Sequence, residues 1–301
     1  MRYSIQHRTA YHYPAPVLLQ PHALRLHPRT DAAQRVQAFS LAVTPQPTQI
    51  TTLIDTDGNY THRLWFAPTP TEQFTITTTT AVETYRNNPF DYLIEPWATT
   101  LPIDYPGSMA AMLQPYLQPT LYPMVSPRAA ALAADLSHQV EGNVSFFLTT
   151  LTQQIYATCD YTTRTTGHPW PPGVTWEKRL GSCRDFTVLF MEVCRAVGLA
   201  ARFVSGYEEG DSTVPHRDFH AWAEVYIPGG GWRGFDPTHG LAVADRHVAI
   251  AASPFPRYTA PVSGSTLATT GPVTATLEAE VRITVLEDTV LEQSESCSES
   301  P

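Results

Sequence analysis

Prolines at Pro89, Pro96, Pro102, Pro106, Pro115, Pro119, Pro123 and Pro127 divide the chain into two parts of different character. Proline has no amide hydrogen and a fixed φ, so this spacing excludes a long helix or a central strand across residues 86–127. Before it the pattern has period two: Tyr3, Ile5, His7, Thr9, Tyr11 and Tyr13, then Phe39, Leu41 and Val43, then Phe74, Ile76, Thr78, Thr80 and Val82. That is the signature of half-buried strands. Asp55-Thr56-Asp57-Gly58-Asn59 reads as a turn leading into Tyr60 to Phe66, because these residue types tolerate hairpin backbone angles. A calcium loop does not fit there, since the glycine is misplaced and the distal glutamate is missing. Residues 1–85 are expected to form an antiparallel β domain. After the prolines the signal becomes helical: Arg128 to Val140 is alanine-rich, and Phe147, Leu148, Leu151 and Ile155 recur at helical spacing. The expected organisation is a β domain (1–85), a linker (86–127) lying along a surface through Trp97, Tyr105 and Tyr116, a second domain (128–286) and a disordered acidic tail (287–301). If the linker is a boundary, the part after it should fold alone.

Length and composition narrow the function classes. At 301 residues two cores are more natural than one, and a 43% hydrophobic, 16% charged composition can fill them. A net charge of -9 with only 19 Lys and Arg leaves no basic stripe to neutralise a phosphate backbone, so nucleic acid is not an expected partner. Met1 to Val17 has no apolar core segment and no long apolar run follows, so the expectation is a soluble, cytoplasmic protein without membrane association. Cys159, Cys183, Cys194 and Cys297 form no CxxC pair, which gives neither a metal ribbon nor a disulfide framework. Cys194 reads as core filler in an apolar helix, and Cys297 as a thiol in a Ser/Glu tail.

Cys183 is different. In the stretch Gly181 to Gly198, residues Phe186, Phe190, Val193 and Val197 share one helical face, Ser182 and Asp185 have capping-box spacing, and Gly198 supplies a stop. Cys183 then sits in the first turn of a buried helix, where free amides and the helix dipole favour a thiolate and can donate to an oxyanion. Arg202 to Tyr207 reads as one strand and Phe219 to Ile227 as another, with His220, Trp222, Glu224 and Tyr226 on one face and Ala221, Ala223, Val225 and Ile227 on the apolar face. Pro228-Gly229-Gly230-Gly231 turns the chain into Trp232 to Pro237, and antiparallel pairing brings Asp236 near the start of the histidine strand. Nucleophile, base and orienting carboxylate are thereby assembled as Cys183, His220 and Asp236.

Gly181-Ser182-Cys183-Arg184-Asp185-Phe186, Ser205-Gly206-Tyr207, His220 to Tyr226 and Gly234 to Thr238 resemble the signature of bacterial transglutaminase-like proteins. Met1-Arg2-Tyr3 through Pro21 to Leu26 resembles the N-terminal β domain that accompanies that core, and Arg246 to Gly264 resembles the segment after the aspartate. The resemblance covers residues 1 to about 263. It implies an α+β fold, with a papain-like, transglutaminase-like core in which a catalytic helix packs on an antiparallel sheet, preceded by an antiparallel β-sandwich-like domain. It also implies acyl transfer through a thioester on Cys183, with His220 and Asp236 completing the triad.

The expected function is therefore thiol-dependent acyl transfer on an amide or peptide bond, as a protease, amidase or transglutaminase, on a peptide or protein substrate and with no cofactor or metal. The alternative is a peptide-binding module that keeps the fold without catalysis, against which the complete triad argues. Trp170 and Trp176 are candidates for the oxyanion side or the cleft wall, with packing as their plainer role. His216 and His220 are four apart, but Pro215 and the missing carboxylate argue against a zinc pair. His239 reads as a loop histidine and Asp185 as a helix cap. Glu208, Glu209 and Asp211 read as a solvated acidic loop that could select basic substrates or loosely hold calcium.

Overall fold

A computed structural model describes residues 1–118, 125–164, 167–210, 219–268, 271 and 273–286. The N-terminal part runs through β1 (Arg2–Leu19), β2 (His22–Leu24), β3 (Gln34–Thr44), β4 (Gln49–Ile54), β5 (Tyr60–Trp65) and β6 (Thr71–Thr84). Helices then take over: α1 (Gly107–Leu117), α2 (Pro127–Gln139) and α3 (Val144–Thr158). Short β7 (Asp160–Tyr161), α4 (Pro172–Lys178) and short β8 (Leu180–Gly181) lead to α5 (Cys183–Ala196). The chain closes with β9 (Ala201–Glu208), β10 (His220–Ile227), β11 (Gly231–Asp236), β12 (Leu241–Ala242), β13 (His247–Ser253), β14 (Val262–Ser263), β15 (Thr266–Ala268) and β16 (Thr276–Val285).

The N-terminal strands form two facing sheets, one ordered β15-β1-β6-β3 with β16 also on β1, the other β14-β2-β5-β4. Tyr13, Val17 and Leu19 from the first meet Leu24 and Leu64 from the second, with Leu26 just past β2, the interdigitation expected of a β-sandwich. β14, β15 and β16 come from the far end of the chain, inside the range that the sequence alone groups with the second domain. Apolar Val281, Ile283 and Val285 stand opposite His7, Ile5 and Tyr3 of β1. Local alternation marks such a strand but does not name its partner, which lies more than 270 residues away.

The second sheet system has the order β12-β11-β10-β9-β13 and carries α5 on one face. Phe186, Leu189, Phe190 and Val193 of α5 join Ala221, Ala223, Val225 and Ile227 of β10 in one core. The proline-rich stretch is part of that core: Ala98, Ile103, Tyr105 and Leu113 are buried in it. It also contains α1, an 11-residue helix with Pro115 in its last turn, where the missing N–H costs only one intrahelical bond.

The other face of this sheet is not solvated. Tyr3, Ile5 and Val82 from the β domain pack with Tyr207, Val248, Ile250 and Ala251 in a shared core. The outer edge of β13 is sealed by two side-chain amides. Gln34 exchanges hydrogen bonds with the backbone of Ala249 (2.7 and 2.8 Å), beside an irregularity in the β9–β13 register. Asn59 does the same with Ala252 (2.8 and 2.9 Å). Both amides are nearly inaccessible, so they act as a substitute strand on an edge that would otherwise be unpaired. Asn59 is placed by the expected turn, in which the Asp55 carboxylate accepts from the amides of Asp57 and Asn59 and Gly58 takes a positive φ of 78°.

Candidate active site

Cys183 is the first residue of α5 and is 7% exposed. The start of this helix is fixed by Asp185, which is fully buried. Its carboxylate accepts from the Ser182 amide and hydroxyl (both 2.8 Å), from the Trp170 amide (2.6 Å) and from Arg164 Nη1 (2.7 Å). Burial alone would raise the pKa of Asp185, but the Arg164 pair and the hydrogen bonds from Ser182 and Trp170 outweigh it and hold the acid ionised. Asp185 is thus a cap, as its spacing suggests, and also ties the preceding loop to the helix that carries Cys183. The long-range partner Arg164 has no local sequence signal.

His220 opens β10, and Asp236 closes β11. The hairpin register pairs Ala223 with Phe235, so Asp236 falls opposite Trp222, on the face that also carries His220. His220 Nε2 lies 2.7 Å from Asp236 Oδ2, which leaves Nδ1 as the nitrogen available to Cys183. Burial disfavours the charged ring, but the Asp236 charge, its hydrogen bond and the neighbouring Cys183 thiol raise the pKa of His220 well above the ordinary value. Asp236 is inaccessible; burial would raise its pKa, yet the two histidines bound to it hold it far below the carboxylate range. Asp236 Oδ1 also accepts from the Thr238 amide at 2.9 Å, which fixes the carboxylate plane.

Three further residues complete this corner. His247, which opens β13, contacts Asp236 Oδ2 through Nε2 at 3.0 Å. His239, in the turn after β11, contacts Glu208 Oε2 at 2.8 Å, and the same oxygen is 3.9 Å from His220 Nε2. Burial would raise the pKa of Glu208, but His239, His220 and His247 bring it below the usual value. Glu208 is therefore not a solvated loop acid but the last residue of β9, turned inward. Glu209 is also engaged, accepting from the Tyr3 hydroxyl at 2.8 Å and pairing with Arg246. Glu208, His220, Asp236 and His239 each offer a ligand atom within 4.8 Å of the others and, among the described residues, are the group that could hold a metal. The involvement of His247 is signalled only by a histidine at the head of an apolar strand, a weak mark.

Trp222 lies under His220, its ring 6.2 Å away and nearly parallel, and meets His247 edge-on at 5.1 Å. Gly206, opposite His220 in the β9–β10 register, makes room for it. A Cβ at Gly206 would strike the Val248 carbonyl and approach the Trp222 ring to 2.7 Å.

The two tryptophans contact other residues. Trp170 contributes its backbone amide to Asp185 while its ring is covered by Arg164 (4.5 Å) and Lys178 (5.1 Å). Trp176 stacks under Arg179 at 3.4 Å and lines a groove with Arg128 and Leu132. A cavity of about 520 Å³ beside His220 is lined instead by Pro169, Arg184, Phe203, Phe219, Arg257 and Pro261, among others. Asp211, His216 and Cys297 lie outside the described residues. Among the described residues, no helix is long and apolar enough to cross a membrane.

Comparison with known proteins identifies the family. Residues 3–83 match the bacterial transglutaminase-like N-terminal region, and residues 130–237 match the transglutaminase-like superfamily. Uncharacterized proteins of Mycobacterium bovis and Mycobacterium tuberculosis are 30% identical over 270 residues, covering 83% of this chain and 82% of theirs. A protein-glutamine gamma-glutamyltransferase of Pseudomonas aeruginosa is 35% identical over 74 residues, 22% of this chain and 11% of that protein. The solved structure of "a Putative Cysteine Protease from Cytophaga hutchinsonii" superposes with a TM-score of 0.70 at 25% identity, over 96% of this chain and 92% of that one. The chain belongs to the transglutaminase-like superfamily, and joins its core to the bacterial N-terminal β domain.

Proposed function

We propose that this protein is a thiol acyl-transfer enzyme acting on amide or peptide bonds of a peptide or protein substrate, with Cys183 as nucleophile, His220 as base and acid, and Asp236 as the group that orients His220. The observation that carries this reading is the buried His220 ring, held at Nε2 by Asp236 and neighboured by Cys183 at the start of α5. Cys183 Sγ attacks the substrate carbonyl carbon, and the amides of the first helical turn face the developing oxyanion. The tetrahedral adduct collapses as His220 gives its proton to the leaving amine, forming a thioester and freeing the amine. Water or a second amine then attacks the thioester, with His220 as the base, and Cys183 is regenerated. The cavity beside His220 places apolar Phe203, Phe219 and Pro261 next to Arg184 and Arg257, a lining suited to a peptide segment with a carboxylate or amide group.

The test is turnover of a glutamine-containing peptide library, read by mass spectrometry as deamidation, cleavage or incorporation of an added primary amine. We expect one of these mass changes, its loss by at least about 10³-fold in Cys183→Ala and His220→Ala, and an acyl adduct on the Cys183 peptide after acid quench. Turnover that persists in Cys183→Ala at the wild-type rate overturns the assignment.

A further inference from the structure

The ends of three strands and the turn that follows bring Glu208, His220, Asp236 and His239 together, with a ligand atom from each within 4.8 Å of the rest. The separations include 2.7 Å between His220 Nε2 and Asp236 Oδ2, 2.8 Å between His239 Nε2 and Glu208 Oε2, and 3.9 Å between His220 Nε2 and Glu208 Oε2. Around a tetrahedral zinc ion with bonds of about 2.0 Å, ligand atoms stand about 3.3 Å apart, inside that range. We propose that these four residues form a reversible site for a divalent transition-metal ion of the zinc type, and that its occupation switches the enzyme off.

The chemistry of the set selects the ion. Two imidazoles and two carboxylates give an N₂O₂ donor set whose two negative charges match a dication. A calcium ion prefers six to eight oxygens and would gain little from the imidazoles. The ligands are fixed by backbone: Glu208 ends β9, His220 starts β10, Asp236 ends β11 and His239 follows in the turn. A supporting contact is also in place, since His247 Nε2 sits 3.0 Å from Asp236 Oδ2 and steadies that carboxylate from behind. There is an entry path, because the side chains of His239 and Glu208 are 41% and 18% exposed while Asp236 is closed off behind them.

The consequence for catalysis rests on the function proposed above; the binding itself does not. A metal on His220 Nε2 takes the place of the proton shared with Asp236, and that proton leaves to solvent. A neutral imidazole bound through Nε2 carries its remaining proton on Nδ1, the nitrogen available to Cys183. Such a ring cannot accept the thiol proton, so the metal blocks the base without touching the nucleophile.

Zinc chloride is titrated by calorimetry into the full chain bearing Cys183→Ser, which removes the thiol as a competing ligand, and into the same protein with Glu208→Gln or His239→Gln added. Matching melting curves without zinc show that the variants fold. We expect one zinc per chain in Cys183→Ser, and an affinity at least about tenfold weaker in each double variant. In the wild-type protein, zinc should stop amide turnover and EDTA should restore it. Binding that disappears in Cys183→Ser, or is unchanged by both added substitutions, overturns the site and assigns any inhibition to the thiol. Zinc bound by the four residues in a wild-type protein that turns over no amide upholds the site and defeats the proposed function instead. Turnover that zinc leaves unaffected defeats the switch.

Discussion

Two buried histidines, His7 at the seam between the β domain and the second sheet and His220 at the end of that sheet, show opposite electrostatics from similar burial. His7 is 2% exposed and bonded to neutral groups, the Tyr207 hydroxyl at 2.8 Å and Thr9 Oγ1 at 2.9 Å. Burial therefore lowers its pKa to about 4. His220 is 9% exposed, but Asp236 and the Cys183 thiol raise its pKa well above the ordinary value. Burial alone makes a neutral, structural histidine; burial with a carboxylate makes an imidazolium fit for acid–base chemistry. The two regions are adjacent, since the His7 ring packs 5.8 Å from Phe219, the residue just before His220. The seam therefore shapes one wall of the site.

Removing residues 1–85 should have the largest effect. The loss uncovers Tyr207, Val248, Ile250 and Ala251 and strips the β13 edge of Gln34 and Asn59, so the remainder should aggregate or fail to melt cooperatively. This is the opposite of the independent folding that the proline-rich stretch suggests. A soluble, cooperatively melting fragment would show that the seam is dispensable.

At the site, Asp236→Asn should lower turnover by on the order of 10²- to 10³-fold and move the pH optimum, because the amide can orient the ring without stabilising its charge. Unchanged turnover would separate Asp236 from the mechanism. Alkylation by iodoacetamide at pH 6, followed by peptide mapping, should label Cys183 ahead of Cys159, whose thiol burial pushes up to about 11.

His7 gives the converse prediction. A histidine whose folded pKa lies below its unfolded one binds its proton first in the unfolded chain, so its stabilising effect is complete above about pH 6.5 and is lost as pH falls toward 4. Denaturant melts should lose about 3 kcal/mol from this group across that window, and His7→Gln should flatten the slope. An unchanged slope would show that His7 is protonated inside the fold. Smaller again, Gly206→Ala should cost about 1 to 3 kcal/mol by displacing Trp222 and the Val248 backbone, with turnover reduced as His220 loses its platform.

The placement of the candidate triad was legible because its parts are local patterns. A cap, a helical apolar face, an alternating strand and a glycine turn each depend on residues within a few positions of one another. Cys183, His220 and Asp236 follow from those patterns and from hairpin register. Arg164, Glu208, His239 and His247 did not, because each acts through a partner that the chain brings near only when folded. Trp170 and Trp176 were named for their nearness to Cys183 in sequence, and the contacts they make, with Arg164 and Arg179, are again ones that only the fold supplies.

The sequence by itself determined the elements: proline spacing marked the change from strands to helices, and residue periodicity set which faces seek burial. The tertiary structure decided which faces meet. It sent β16 back to β1, made the proline-rich stretch part of the second core, and turned the polar face of β10 inward. Periodicity specifies that an apolar face must be covered, while the covering partner is selected by shape and by the pairing of buried polar groups across the whole chain, as Gln34 and Asn59 do for β13.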